Sequence, residues 1–185
     1  MQTLIDPLVG HVHCRPLLPW LEAFVMKVGD RAMLGRLYET EDCSVARALE
    51  LVGERWTLLI LREAMFADST RFSQFQASLA IAPNILTKRL SALVEAGILH
   101  VPPGSHEYVL TAMGMTLKPV VVALARWSDR WIGAGPVRFV HDTCDTEVEH
   151  RFWCGGCQGE AQPGDVQVRL RSAEEREALD AARLS

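Results

Sequence analysis

The stretch from Pro83 to Gly97, together with the two short extended runs after it, narrows the possible folds more than any other part of the chain. Proline is tolerated in a first helical turn and glycine suits the position just past the last, so 83–96 reads as one helix with defined ends. Leu86, Leu90, Leu93 and Val94 form one apolar stripe along it. Asn84, Lys88, Ser91 and Glu95 line the opposite side, flanked by Thr87 and Arg89. Next come Ile98–Val101 and Glu107–Leu110, which flank Pro102-Pro103-Gly104-Ser105-His106. That pattern is a hairpin with a Pro/Gly turn.

The residues upstream supply the rest of a helical domain. Ser44–Val52 reads as a helix capped by Ser44, with Val45, Ala48, Leu49 and Val52 on one face. Glu54–Phe66 is a second helix whose centre, Trp56-Thr57-Leu58-Leu59-Ile60-Leu61, is nearly all apolar and belongs in the core. Ala67–Thr70 is a turn, and Ser73–Leu79 a third helix with Phe72, Phe75 and Leu79 facing inward. After the hairpin, Thr111 caps a last helix. Met113, Leu117, Val120, Leu124, Trp127 and Trp131 recur along it at alternating steps of four and three, a heptad seam sustained for about five turns. Gly133 and Gly135-Pro136 end it. Helix, helix, short helix, helix and hairpin is the order of a winged helix-turn-helix.

The expected fold is therefore mainly α with a small β-hairpin: a winged helix-turn-helix over 43–131 with a long C-terminal dimerisation helix. Residues 1–42 form an N-terminal extension in which Leu17–Met26 can make a short helix, and Met26 and Met33 are alternative starts. Residues 132–185 form a C-terminal extension ending in a solvated helix after Ser172.

The exposed face of the 83–96 helix begins with Asn84, Thr87, Lys88 and Arg89, and Ser91 follows. These side chains donate to phosphates and to base edges in a major groove. Free amides at the helix start favour phosphate, and Arg71, ahead of the third helix, is placed to reach the backbone of double-stranded DNA. Two adjacent basic residues alone fit a solvated helix of any small bundle equally well. It is the order of elements, with the hairpin directly after the helix, that decides for DNA.

Charge at first argues the other way, with 19 Lys and Arg against 23 Asp and Glu. Counted by segment, however, the net charge is −2 for 1–42, +2 for 43–131 and −4 for 132–185. The acidity belongs to the extensions, and the excess of +2 points to modest non-specific affinity that depends on dimerisation and a specific site.

The run CSVARALELVGERWTLLILREAMFADSTRFSQFQASLAIAPNILTKRLSALVEAGIL, from Cys43 to Leu99, resembles the HxlR-type winged-helix transcriptional regulators. The likeness continues through EYVLTAMGMTLKPVVVALARWSDRW, Glu107 to Trp131, and so spans about half the chain. It rests on Cys43, Gly53 to Trp56, Arg71-Phe72, Leu86 to Leu90, Glu95-Ala96-Gly97, Tyr108 to Gly114 and Trp127 taken together. The resemblance implies a homodimeric, cytoplasmic DNA-binding regulator of nearby genes, a repressor or an activator. It also implies that Cys43 stands where the family carries a redox-sensing thiol. A helix start favours the thiolate, whereas Glu41 and Asp42 disfavour it, and a small buried hydrophobe is the alternative. One departure concerns the wing. Val101–Glu107 holds no Lys or Arg, which weakens the phosphate contacts a wing supplies. His100 and His106 read as ordinary solvated turn residues.

The Met113–Trp131 seam is the expected homodimer interface, since a lone winged helix reads few base pairs and two half-sites lie about 34–36 Å apart. Its alternative is packing on its own domain. Met33–Tyr38 is expected to pack alongside, and a crevice between the dimer helices and the C-terminal segment could take a small-molecule effector.

His141, Cys144, Cys154 and Cys157 form two close pairs, His-x2-Cys and Cys-x2-Cys, with ligand types and spacing suited to a structural zinc knuckle. Gly155 and Gly156 permit a tight turn, and Glu147–Trp153 with Val166–Leu170 suit a small zinc-ribbon-like sheet. Free thiols, a Cys154–Cys157 redox pair, and His150 as fourth ligand are the alternatives. Five cysteines, an odd number, make a poor disulfide scaffold and point to the cytosol. No apolar run approaches the roughly 18 residues of a membrane span, and Met1–Gly10 lacks the basic start of a signal peptide. No Ser/His/Asp arrangement, phosphate loop or carboxylate pair suggests an enzyme. The remaining functional alternative is a winged-helix adaptor that binds a protein.

Overall fold

A computed structural model describes residues 43–184. The N-terminal extension, including Leu17–Met26 and Met33–Tyr38, lies outside the described residues, as does Cys14. The winged helix is built from α1 (Ser44–Val52), α2 (Arg55–Phe66), α3 (Phe72–Leu79), α4 (Pro83–Glu95), β1 (Leu99–His100) and β2 (Val109–Leu110). Then follow α5 (Ala112–Met115), α6 (Lys118–Trp131) and two hairpins, β3 (Val140–His141) with β4 (Thr146–Glu147) and β5 (Phe152–Cys154) with β6 (Gly159–Ala161). Residues 43–169 fall in one compact unit; α7 (Ala173–Leu184) belongs to another, and Ser172 and Glu175 cap it reciprocally.

The core forms where α2, α3, α4 and the wing base meet. Ile60, Leu61, Phe75, Leu86, Leu90, Leu93, Ile98 and Leu99 are fully buried. Each such side chain contributes roughly 1.5–3 kcal/mol, against about 0–1 kcal/mol for an exposed ion pair, so burial rather than surface charge holds the fold. Glu63 is a buried carboxylate within it. Burial pushes its pKa up, but the Ser78 hydroxyl and the Arg62 guanidinium, both donating to it, outweigh this and hold it below the usual carboxylate value. The pairing ties α2 to α3.

Helix ends follow the sequence closely. Gly97 takes φ +71, Ile98 N–H bonds to the Leu93 carbonyl at 3.0 Å, and Gly97 N–H to that of Val94 at 3.0 Å. This double closure with a buried Leu93–Ile98 pair stops α4. Thr111 Oγ1 accepts from Gly114 N–H at 3.0 Å and donates to the Gly97 carbonyl at 2.7 Å, fastening α5 to the end of α4. At the start of α1 the cap is Cys43, not Ser44. Ser44 is already helical and its hydroxyl accepts from Arg47 at 3.2 Å.

Two expectations fail on backbone grounds. The single helix over 111–131 is broken, because Pro119 has no N–H for the Met115 carbonyl. Leu117 N–H bonds instead to the Gly114 carbonyl at 3.1 Å, and α6 restarts at Lys118. Strands at 147–153 and 166–170 are replaced by the hairpins at 140–147 and 152–161. The wing also gains an extended segment. Arg71 bridges to Glu107, and Tyr108 N–H bonds to the Thr70 carbonyl at 2.7 Å.

Gly114 lies against the wing so closely that a Cβ there would meet the Ile98 carbonyl oxygen at 2.2 Å. Backbone cannot yield as a flexible side chain can. Gly114→Ala is therefore expected to destabilise the domain by about 1–3 kcal/mol, read as a lowered urea midpoint; an unchanged midpoint would contradict this packing.

Candidate nucleic-acid interface

The three-residue turn between α3 and α4 fixes how α4 is presented. Ala80 adopts φ +49 and Ile81 is buried, so the chain reverses sharply and pins the start of α4 to the core. Leu86, Leu90 and Leu93 face inward, while Asn84, Thr87, Lys88, Ser91 and Glu95 are exposed on the other side. Thr87 also donates to the Pro83 carbonyl at 2.9 Å. Four of the five residues placed on this helix for DNA thus share one solvent-facing surface.

Arg89 does not join them. Its guanidinium lies 3.0 Å from Glu54 at the start of α2, and its side chain is 19% exposed. One residue past Lys88 turns the side chain by about 100°, toward the α2 side. Its role here is to brace α4 on α2.

Arg71 lies at the junction of α3 and the wing. It precedes α3, its N–H donates to the Gln74 side chain at 2.8 Å, and its side chain is mostly exposed. Its guanidinium bonds to Glu107 of the wing at 3.2 Å. The wing itself turns tightly at Pro103-Gly104, with Gly104 at φ +75 and Ser105 N–H bonded to the Pro102 carbonyl at 3.0 Å. Glu54 and Glu107, the partners of the two arginines, escaped the sequence reading because each lies far along the chain from its arginine.

Five of the six seam residues are exposed, while Leu117 packs against the core. Val121 faces the core beside α2, whereas Met113, Val120, Leu124, Trp127 and Trp131 point outward, the two tryptophans 58% and 67% accessible. Among the described residues, packing on its own domain therefore accounts for Leu117 but not for the rest of this stripe. On α1, Val45 and Leu49 are exposed as well. Cys43 is half-buried at the N-cap of α1.

Between the end of α2, the start of α6 and the first C-terminal hairpin lies a cavity of about 500 Å³. Phe66, Pro119, Val122 and Phe139 give it apolar walls, and Lys118, Arg138, Glu149 and His150 line it too. Phe66 and Phe139 meet edge-on at 5.0 Å, and Arg126 of α6 pairs with Glu147 of β4, so the hairpin is tethered to the helices.

His141 and Cys144 lie together, Nδ1 to Sγ 3.3 Å, and Cys157 N–H points at Cys154 Sγ at 3.5 Å. The Thr146 hydroxyl and His141 hold the Cys144 thiol below its ordinary pKa. Backbone N–H of Cys157, its thiol and Gly156 N–H do the same for Cys154. The two pairs are not assembled with each other: among the described residues no three His, Cys, Asp or Glu side chains converge as a metal site. His150 instead packs edge-on near Phe152. Among the described residues, no helix is long and apolar enough to cross a membrane.

A family model described as HxlR-like helix-turn-helix matches residues 51–136. A Mycobacterium tuberculosis protein named as the uncharacterized HTH-type transcriptional regulator Rv3095 is 44% identical over 131 residues, covering 66% of this chain and 82% of that protein. The Bacillus subtilis HTH-type transcriptional regulator YdeP is 31% identical over 108 residues, covering 53% of this chain and 83% of that protein. Of solved structures, the transcription-factor candidate PA1607 superposes with a TM-score of 0.64 at 38% identity over 70% of this chain and 96% of its own. PA1374 of Pseudomonas aeruginosa, described in the same terms, gives 0.53 at 37% identity over 74% and 99%. These relatives are named as regulators, not enzymes. A winged helix with a solvent-facing α4, matched across α2 to α6 by relatives of this kind, makes the chain a member of the HxlR-type family of helix-turn-helix transcriptional regulators.

Proposed function

We propose that the protein is a cytoplasmic homodimer that binds double-stranded DNA near its own gene, with α4 in the major groove, and regulates transcription there. The observation that carries this reading is the division of α4. Its leucines are sunk in the core, and Asn84, Thr87, Lys88 and Ser91 form one polar surface able to donate to bases and phosphates. Arg71 adds a backbone contact from the wing side, and the exposed tryptophan seam joins two copies. A small, largely apolar effector suits the cavity, whose charged lining is mixed (Lys118, Arg138 and Glu149), and oxidation of Cys43 offers a second input at the start of α1.

Gel-shift titration with DNA flanking the gene, against scrambled DNA and across salt, tests the reading. Specific binding that weakens steeply with salt supports it. Absence of binding at low salt sinks it in favour of the protein-binding adaptor.

The wing carries its own expectation. The Glu107 carboxylate neutralises Arg71 at 3.2 Å in an exposed pair worth about 0.2–1 kcal/mol. Glu107→Gln frees Arg71 and removes a negative charge facing phosphate. Affinity for the specific site is expected to tighten about threefold to tenfold at low salt, with a steeper salt slope. Unchanged affinity would mean that this corner of the wing does not approach DNA.

A further inference from the structure

The C-terminal extension contains one structural unit twice. Val140-His141-x-x-Cys144-x-x-Glu147 is followed by Trp153-Cys154-x-x-Cys157-x-x-Glu160. The backbone repeats as well as the residue pattern. His141 pairs with Thr146 and Cys154 with Gly159, so each ligand-type residue closes its hairpin at the same position. The residue after the second member of each pair, Cys144 and Cys157, is left-handed: Asp145 at φ +54 and Gln158 at φ +51. Both turns thereby bring the side chain at the first position and the cysteine three residues later to one end of their hairpin.

We propose that these hairpins are the two halves of one zinc site, with His141 Nδ1 and the Sγ atoms of Cys144, Cys154 and Cys157 as its four ligands. The first half already has ligand geometry. Bonds of about 2.0–2.1 Å to nitrogen and about 2.3 Å to sulfur set a tetrahedral N···S edge of about 3.5 Å, and the observed separation is 3.3 Å. In the second half, the Cys157 amide donates to Cys154 Sγ at 3.5 Å, a bond that supports a ligating thiolate. Gly155 and Gly156 leave that turn unobstructed.

Apart from the Phe66–Phe139 contact and the surface ion pairs of Arg126 with Glu147 and of Arg151 with Glu149 and Glu160, the two hairpins bury little among the described residues. Phe152 and Trp153 are exposed, as are both residues of β3 and both of β4. Hairpins this small need a metal or disulfide staple where they bury no core, and all three cysteines here are free. The half-sites stand apart in the structure, so binding requires the connector 148–151 to bring the turns onto one ion. Three thiols give up their protons as they bind, and His141 binds as the neutral imidazole. With four protein ligands the site is closed, and its role is to brace the cavity-lining hairpin rather than to perform chemistry.

The test needs no DNA, so its outcome is separate from that of the regulator reading. Full-length protein is purified, its zinc measured by mass spectrometry, and the metal exchanged for cobalt. Expected are about one zinc per chain and a tetrahedral, thiolate-rich cobalt spectrum. A Cys154→Ser/Cys157→Ser variant and a His141→Ala/Cys144→Ser variant should each lose most of the metal while the helical circular dichroism persists. Three results overturn the site: folded protein with no zinc and no cobalt spectrum, one zinc per two chains, or metal retained when either pair is replaced.

Discussion

Replacing Lys88 by alanine is expected to lower affinity for the specific DNA site by about two to four orders of magnitude. The side chain is exposed at the centre of the polar face of α4, while Leu86 and Leu90 on either side of it in sequence are fully buried. A base contact in the major groove is worth about 1–3 kcal/mol, and a homodimer loses it twice. If Lys88 contacts phosphate instead, the loss is smaller, but the salt slope falls by about two, one per chain. The fold should tolerate the change, since surface substitutions usually stay within about 0.5 kcal/mol. Arg89→Ala is the internal contrast. It removes the brace to Glu54, so it should lower stability by up to about 1 kcal/mol and leave the salt slope nearly unchanged. Fluorescence anisotropy across salt, paired with urea melts, separates the two. Equal loss of binding without loss of stability in both variants would place Arg89 on the DNA as well.

If two copies join through the α6 seam as proposed, replacing Trp127 and Trp131 by alanine should convert the dimer to monomer and abolish specific binding with it. Anchors of this kind contribute about 2–4 kcal/mol each, and a homodimer loses each one twice, so even one substitution weakens the dimer by about three to six orders of magnitude. A folded monomer should remain, because both side chains are more than half exposed in the single chain and support little of its core. Sedimentation equilibrium reads the change directly. A monomer retains one half-site contact and falls back toward non-specific affinity, about 10⁻⁴–10⁻⁶ M at physiological salt. A dimer of unaltered strength would move the interface elsewhere.

The winged helix was readable from the sequence because its punctuation is local. Pro83 and Gly97 delimit α4, Thr111 caps α5, and the leucine stripe orients the recognition surface. What escaped was set by groups distant in sequence or masked by a competing pattern. The heptad seam ran uninterrupted through Pro119 and hid the break between α5 and α6. Nothing adjacent in sequence marks Glu54 as the partner of Arg89, so its place beside Lys88 fits the polar face as well as the brace to α2. Likewise, Glu107 meets Arg71 only because the wing folds back beside the start of α3. In the extension, the runs 147–153 and 166–170 carry an alternating strand pattern, but the repeated four-residue turns set the real strands.

The most direct measurement is a hydroxyl-radical footprint of the full chain on DNA flanking its gene, with the mass of the complex determined in parallel. Two protected patches about one helical turn apart, with two chains bound and both patches lost on Lys88→Ala, are expected if α4 enters successive major grooves from a symmetric dimer. A single patch, one bound chain, or protection insensitive to Lys88 would contradict it.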